Sequence, residues 1–218
     1  MRHHARRLHR CLWPPHAEQP DLQCGPRCSA GRTGRAEGPQ ASRDRHAQQS
    51  PPRERVDTFL DLARQARNES LPIRAILAGP AGASERAAID AAAAELGDTL
   101  DYRGPLYDAA KSAFYREVDV FVFATTHGNE AQPLEIFEAK AAGNAVISFD
   151  RGCIRKQLDE SDLLIPSGGE FVPTALAWLS AMSPEPALET RRKAIQQAYK
   201  TRHAKARAAI NSLLNFDE

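Results

Sequence analysis

Two glutamates, Glu130 and Glu138, stand eight positions apart in the part of the chain whose residue types best suit ligand chemistry. An ionised carboxylate only accepts hydrogen bonds, and it forms strong charge-assisted bonds to hydroxyl donors. Glutamate is a common residue, so the spacing alone says little. The meaning of the pair depends on the elements that position the two side chains.

A strand, a turn and a helix are predicted around the pair. Residues 120–123 form an apolar run typical of a strand that is buried on both faces of a parallel sheet. An apolar helical pattern then extends from Pro133, which suits a first helical position, to Gly143, which ends it. The pattern therefore predicts Glu130 at the mouth of the turn and Glu138 in the helix behind it.

Helix and strand patterns alternate from Val56 to the end of the chain. The predicted strands lie near 73–79, 99–103, 119–123, 145–148 and 163–165. The predicted helices start with one at Val56 and continue near 84–96, 107–117, 133–143, 155–158, 170–182 and 187–214. This order predicts one α/β domain over 56–218, with a parallel sheet and helices on both faces. Ligands bind such sheets at the carboxyl ends of the strands, where the free N–H groups of a helix suit a phosphate.

Residues 1–55 differ sharply in composition from the rest. They contain no Lys, Val, Ile, Phe, Tyr or Asn, and they hold three of the four cysteines. Nine Arg and four acidic residues in 1–50 give +5, which leaves −4 for the rest of a chain whose net charge is +1. A segment this poor in large apolar residues cannot bury a core. We therefore expect a disordered basic segment over 1–55.

Three interpretations of residues 1–55 remain open. The segment is without function and arises from an out-of-frame stretch, or it is a basic arm that binds an anionic polymer or surface. The third interpretation is a metal site formed by three histidines and two cysteines, although the Cys-x-x-x-Cys spacing lacks a second ligand pair. These residues are His3, His4, His9, Cys24 and Cys28.

The segment from Asn129 to Ile154 resembles the signature of family 4 glycosyltransferases, which are retaining enzymes of the GT-B architecture. Its pieces are Glu130, the Glu-Ala-x-Ala-x-Gly helix over 138–143, the short apolar strand over 145–148 and the turn at Gly152. The likeness extends from about Val56 to the last helix. It implies a single Rossmann-like domain, the C-terminal and donor-binding half of a GT-B enzyme, preceded by a disordered tail.

The resemblance implies a role for each part of the site. Glu130 would be the catalytic residue at the donor sugar hydroxyls, and Glu138 would accept hydrogen bonds from the ribose. Backbone N–H groups near the helix start would meet the diphosphate, and the loop after the second predicted strand, near 99–103, would hold the base. The remaining donor-binding residues are Ala131, Gln132, Pro133, Leu134, Gly104 and Leu106, with Tyr102 and Arg103 in the same loop. No metal and no other cofactor are expected, since the nucleotide-sugar is a substrate.

The chain departs from this family in two ways. The family's acceptor-binding domain is not visible, and Arg53 to Val56 offers Glu and Arg where a Lys-Gly pair that holds the diphosphate is expected. Loss of one charge-assisted phosphate contact costs about 1.5–3 kcal/mol. Two functions therefore remain open: a glycosyltransferase that uses a nucleotide-sugar donor and a glycan or lipid-linked acceptor, or a non-catalytic, nucleotide-binding or partner-dependent remnant of one.

No secretion signal and no run of about 20 apolar residues is present, so we expect a cytoplasmic protein. We expect no nucleic-acid partner. The final helix is basic, and two interpretations of it remain open. Its polar face is simply solvated while the helix packs on the core, or it contacts anionic lipid at the inner membrane face.

Overall fold

The computed structural model describes residues 6–11, 52–126, 132–182 and 187–214. The strands are β1 Arg6–Cys11, β2 Ile73–Ala78, β3 Leu100–Tyr102, β4 Val120–Phe123, β5 Ala145–Phe149 and β6 Leu163–Ile165. The helices are α1 Pro52–Asn68, α2 Ala83–Leu96, α3 Asp108–Glu117, α4 Leu134–Ala142, α5 Phe171–Ala181 and α6 Ala187–Leu214. Two short 3₁₀ turns occupy Gly97–Thr99 and Ile154–Lys156.

The six strands form one parallel sheet in the order β3-β2-β1-β4-β5-β6. The chain winds outward from β1 to β3, returns to β4 beside β1, and then winds to the opposite edge. This reversal places a topological switch point between β1 and β4, the position at which doubly wound sheets bind ligands outside the carboxyl ends of their strands. The predicted α/β class and parallel sheet are confirmed.

Side chains of the central strands alternate between two hydrophobic clusters, one on each face of the sheet. Leu77 and Val122 face the cluster that includes α1, α2 and α5, whereas Ile76 and Phe121 face the one that includes α3 and α4. All four residues of β4 are buried, because helices cover both faces. The short apolar run at 120–123 is therefore a strand of the sheet centre, as its residues predict.

The strand β1 is a difference from the sequence prediction, which expected no ordered structure in residues 1–55. Arg6–Cys11 pairs along its whole length with β2 and also pairs with β4. Composition predicts whether side chains can form a core, but strand pairing uses backbone groups that every residue except proline carries. The segment 6–11 contains no proline. The three interpretations of 1–55 otherwise fall largely on residues outside the described ranges.

Two smaller predictions also need correction. Pro133 has an extended ψ of 121° and occupies the N-cap position just before α4, rather than the first helical position. The predicted helix at 155–158 is a 3₁₀ turn that ends at Lys156.

The first half of α6 packs along α4, near the amino ends of β4 and β5. Arg192 donates hydrogen bonds to the carbonyl of Val118 at 2.6 Å and to the carboxylate of Asp119 at 2.9 Å. Gly143 follows α4 with φ +88°, and a Cβ placed there would lie 2.6 Å from Cγ of Arg192. A glycine is thus required at 143 both by its backbone conformation and by the close approach of α6.

The second half of α6 differs from the first because every residue from 201 to 214 is exposed. Its large apolar side chains Ile210, Leu213 and Leu214 are 54–71% exposed. Thus the interpretation of a helix packed on the core holds for the first half only. Within the described ranges, no helix combines the length and apolar character needed to cross a bilayer.

Candidate functional site

The start of α4 forms the centre of the candidate site, because it follows β4 at the switch point. Gln132 and Leu134 are exposed, whereas Pro133 between them is buried. The carbonyl of Pro133 accepts a hydrogen bond of 3.1 Å from Nε2 of the buried Gln157, which fixes the entry into the helix. Among the residues that the structure describes, no side chain caps α4. Its first N–H groups have no partner within the helix, and together with the helix dipole they suit an anion.

Glu138 lies one helical turn after Leu134, and α3 holds its carboxylate. Lys111 Nζ is 2.9 Å from Oε1 and 2.7 Å from Oε2, and the Tyr115 hydroxyl donates to Oε2 at 3.1 Å. The Glu138 side chain is 40% exposed, so it remains open to solvent on one side. The carboxylate is therefore oriented by two residues that sit one turn apart on the neighbouring helix.

These contacts limit what else Glu138 can bind. A carboxylate offers about four lone-pair positions. Lys111 reaches both oxygens and Tyr115 reaches one of them, so about one position is left for a further donor. In this arrangement Glu138 can accept a hydrogen bond from about one further donor, and its predicted role toward the ribose hydroxyls stays a prediction.

Glu130 and Ala131 lie outside the described residues, so the roles predicted for them remain predictions. Of the other predicted residues, Gln132, Pro133, Leu134 and Glu138 are brought together by α4 itself.

The loop after β3 was predicted to hold a base, and two of its side chains are already engaged. The hydroxyl of Tyr102 donates to the carbonyl of Gly79 at 2.9 Å. Arg103 pairs with Glu117 at 2.6 Å and with Asp101 at 3.0 Å, and the hydrogen bond to Glu117 is the main cause that raises the pKa of Arg103. Both side chains therefore stabilise the fold.

Gly104 and Leu106 differ from these two neighbours. Gly104 has φ +65°, and no atom of the described residues, apart from those of its two chain neighbours, lies within 4 Å of the position that a Cβ would take. Its backbone is therefore accessible within this part of the chain. Its carbonyl accepts a hydrogen bond of 2.7 Å from the N–H of Gly79. Leu106 is half-buried and packs against the cluster beneath α3 and α4. The open side of Gly104 is the part of this loop that could admit a ligand.

Sequence reasoning missed Lys111 and Tyr115 as site residues. Their i, i+4 spacing predicts a shared helix face, but the sequence does not say which helix that face meets. Glu135, in the first turn of α4, is only 6% exposed in the structure. Cys153 is half-buried and is not part of a disulfide in the described residues.

A second missed cluster surrounds Lys140, which is the residue x in the Ala-x-Ala part of α4. Its Nζ lies 2.7 Å from Oδ2 of Asp162 and 3.2 Å from Oδ2 of Asp159, and Ser161 also contacts it. The side chains of Lys140 and Asp162 are 3% and 0% exposed. Asp162 further accepts the N–H of Val146 at 2.9 Å. The cluster joins α4, β5 and the segment before β6, and it supports the fold beneath the candidate site.

The two acids of this cluster are affected differently by their surroundings. Burial raises the pKa of Asp162 in spite of the charge of Lys140. Burial would also raise the pKa of Asp159, but the hydrogen bonds from Ser161 and the charge of Lys140 outweigh it, so this pKa is lowered.

The fold and the site together define a doubly wound α/β domain whose switch point can receive a phosphate and a hydroxylated ligand. A family profile described as "Glycosyl transferases group 1" matches residues 46–180. This match covers more than half of the chain, and the protein belongs to that family. A comparison with curated proteins finds no match.

Solved structures of glycosyltransferases share this fold. One is Alr3699/HepE of Anabaena in complex with UDP, with 16% identity, a TM-score of 0.57, and coverage of 73% of this chain and 44% of that one. Another is the pneumococcal O-GlcNAc transferase GtfA in complex with UDP and GlcNAc, with 22% identity, a TM-score of 0.55, and coverage of 74% and 33%. The present chain spans less than half the length of either protein.

Proposed function

We propose that this chain is the donor-binding domain of a retaining, family 4 glycosyltransferase of the GT-B type that uses a nucleotide-sugar. Membership of the group 1 glycosyltransferase family supports the proposal. The observation that carries it is the position of Glu138, whose partly exposed carboxylate is held one turn from the start of α4. A site for hydroxyl donors thus adjoins a site for an anion.

Each part of a nucleotide-sugar has a proposed partner. The diphosphate lies at the start of α4, where the backbone N–H groups of Gln132 and Leu134 and the helix dipole favour negative charge. A ribose hydroxyl donates to Glu138. The base lies beside Gly104 and Leu106. The structures of the two similar proteins contain bound UDP. We propose that the present chain binds a nucleotide of the same kind.

The chemical step is assigned to Glu130 on the basis of the family resemblance. In this proposal its carboxylate accepts hydrogen bonds from the donor sugar and faces the positive charge that develops as the bond to the diphosphate breaks. The N–H groups at the start of α4 stabilise the departing diphosphate. The proposed chemistry requires no metal. The acceptor is a glycan or a lipid-linked saccharide.

A second function is supported by a departure from the family pattern. The Lys-Gly pair expected for the diphosphate is replaced near Arg53 and Arg55. A non-catalytic domain, one that binds a nucleotide without turnover or that acts only with a partner chain, fits this replacement.

Calorimetric titration of the full chain with UDP, GDP, UDP-glucose and GDP-mannose, followed by a hydrolysis assay, separates the proposals. Binding with slow release of the sugar supports the glycosyltransferase. Binding without turnover, also after addition of candidate acceptors, supports the non-catalytic domain. Absence of binding at millimolar nucleotide would contradict the glycosyltransferase and the nucleotide-binding form of the non-catalytic domain, and it would leave only the form that acts with a partner chain.

We propose a cytoplasmic site of action. Contact of α6 with anionic lipid stays a prediction. The exposed segment 201–214 contains Lys205 and Arg207 and no acidic residue, so lipid contact would be made there and would weaken as the salt concentration rises.

A further inference from the structure

Helix α3 contributes to the candidate site through its contacts with Glu138. Lys111 and Tyr115 are one turn apart on α3, and both reach the same carboxylate on α4. The tyrosine is buried, and the lysine side chain is 25% exposed. A long, flexible side chain at half-exposed Glu138 would otherwise sample several rotamers. The two contacts from α3 restrict it to one.

We propose that Lys111 is a positioning residue for Glu138, and that Lys111 and Tyr115 together make the site selective for a single ribose hydroxyl. This inference rests on the proposed binding of a nucleotide-sugar. Lys111 and Tyr115 align the carboxylate, and their three contacts leave about one acceptor position on its two oxygens. The ligand class is therefore a ribonucleotide in which one of the 2′ and 3′ hydroxyls is read.

The selectivity can be measured with nucleotides that lack one hydroxyl. For UDP, 2′-deoxy-UDP and 3′-deoxy-UDP, the wild-type chain should bind one of the deoxy analogues about tenfold or more weakly than UDP, because a hydrogen bond to a charged group is lost. The other analogue should bind within about threefold of UDP. The same comparison applies to the GDP series. A weaker binding of both analogues by tenfold would overturn the single-hydroxyl inference.

The role of Lys111 is tested by Lys111→Met, with Lys193→Met as the matched control. Lys193 also pairs with a glutamate, Glu189, but its side chain is 74% exposed on α6. In Lys111→Met the tenfold preference for the read hydroxyl should fall below about threefold, and Lys111→Arg should retain most of it. Lys193→Met should keep the full preference.

A general loss of structure would weaken the binding of UDP and of its deoxy analogues by the same factor. The ratio of their dissociation constants therefore separates a positioning role of Lys111 from a role in folding. If Lys111→Met weakens UDP and the analogue equally, or increases the preference above that of the wild type, the inference is overturned. If Lys111→Met does not fold, Tyr115→Phe is measured in its place. An unchanged ratio of dissociation constants in Tyr115→Phe also overturns the inference. If the wild-type chain binds neither UDP nor GDP, the proposed function itself fails and this inference fails with it.

Discussion

Replacement of Lys140 by methionine tests the buried cluster beneath the site. The substitution keeps the length of the side chain but removes the charge that faces Asp162, whose carboxylate is fully buried 2.7 Å from Nζ. Removal of one partner of a buried ion pair typically costs about 3–5 kcal/mol, because it leaves the other charge without compensation. For a domain of this size that loss corresponds to a decrease in melting temperature of roughly 6–20 °C.

Urea denaturation of the full chain, followed by circular dichroism, measures this free energy of unfolding. Lys193→Met serves as the control, since an exposed ion pair contributes at most about 1 kcal/mol. The double variant Lys140→Met/Asp162→Asn should recover part of the loss, because asparagine carries no charge and its side-chain oxygen can still accept the N–H of Val146. Equal stability of Lys140→Met and Lys193→Met would refute the argument.

Two further predictions concern the backbone at Gly143 and the titration of Asp159. Gly143→Ala should destabilise the chain by about 2–5 kcal/mol, because φ is +88° and the new Cβ would clash with Arg192. The control Gly168→Ala, at φ +89° but without such a neighbour, should cost only about 1–2 kcal/mol. Equal urea midpoints of the two variants would contradict this prediction. Because the pKa of Asp159 is lowered in the folded state, its stabilising contribution is present above the unfolded value of about 3.9 and is lost as the pH falls through the folded value. The difference in stability between the wild type and Asp159→Asn should therefore shrink between pH 6 and 3, and a difference that stays constant would show that Asp159 acts without titrating.

Much of the fold can be predicted from local patterns. The apolar run Val120–Phe123, the helical pattern that ends at Gly143 and the long final helix each depend on residues close in sequence, and the structure confirms them. The pairing of β1 could not be predicted from the sequence. Arg6–Cys11 joins the sheet through its backbone hydrogen bonds, and the amino-acid composition of a segment does not show whether its backbone will pair.

The site was less accessible from the sequence than the fold. The position of Glu138 in a helix after a turn follows from local spacing, but its partners Lys111 and Tyr115 are 27 and 23 positions away. The partners of Lys140 lie on the segment before β6 for the same reason. Contacts of this range depend on how α3, α4 and β6 pack, which a single sequence does not specify.

The location of the nucleotide tests the central claim most directly. In ¹⁵N-resolved NMR spectra of the full chain titrated with UDP and with GDP, the proposal predicts amide shifts at the carboxyl edge, at Gly104, Gln132, Leu134 and Glu138. Amides near Gly143 and Arg192, where α6 meets the opposite edge of the sheet, should remain unchanged. Shifts confined to that opposite edge, or no shifts at millimolar nucleotide, would contradict a donor site at the start of α4.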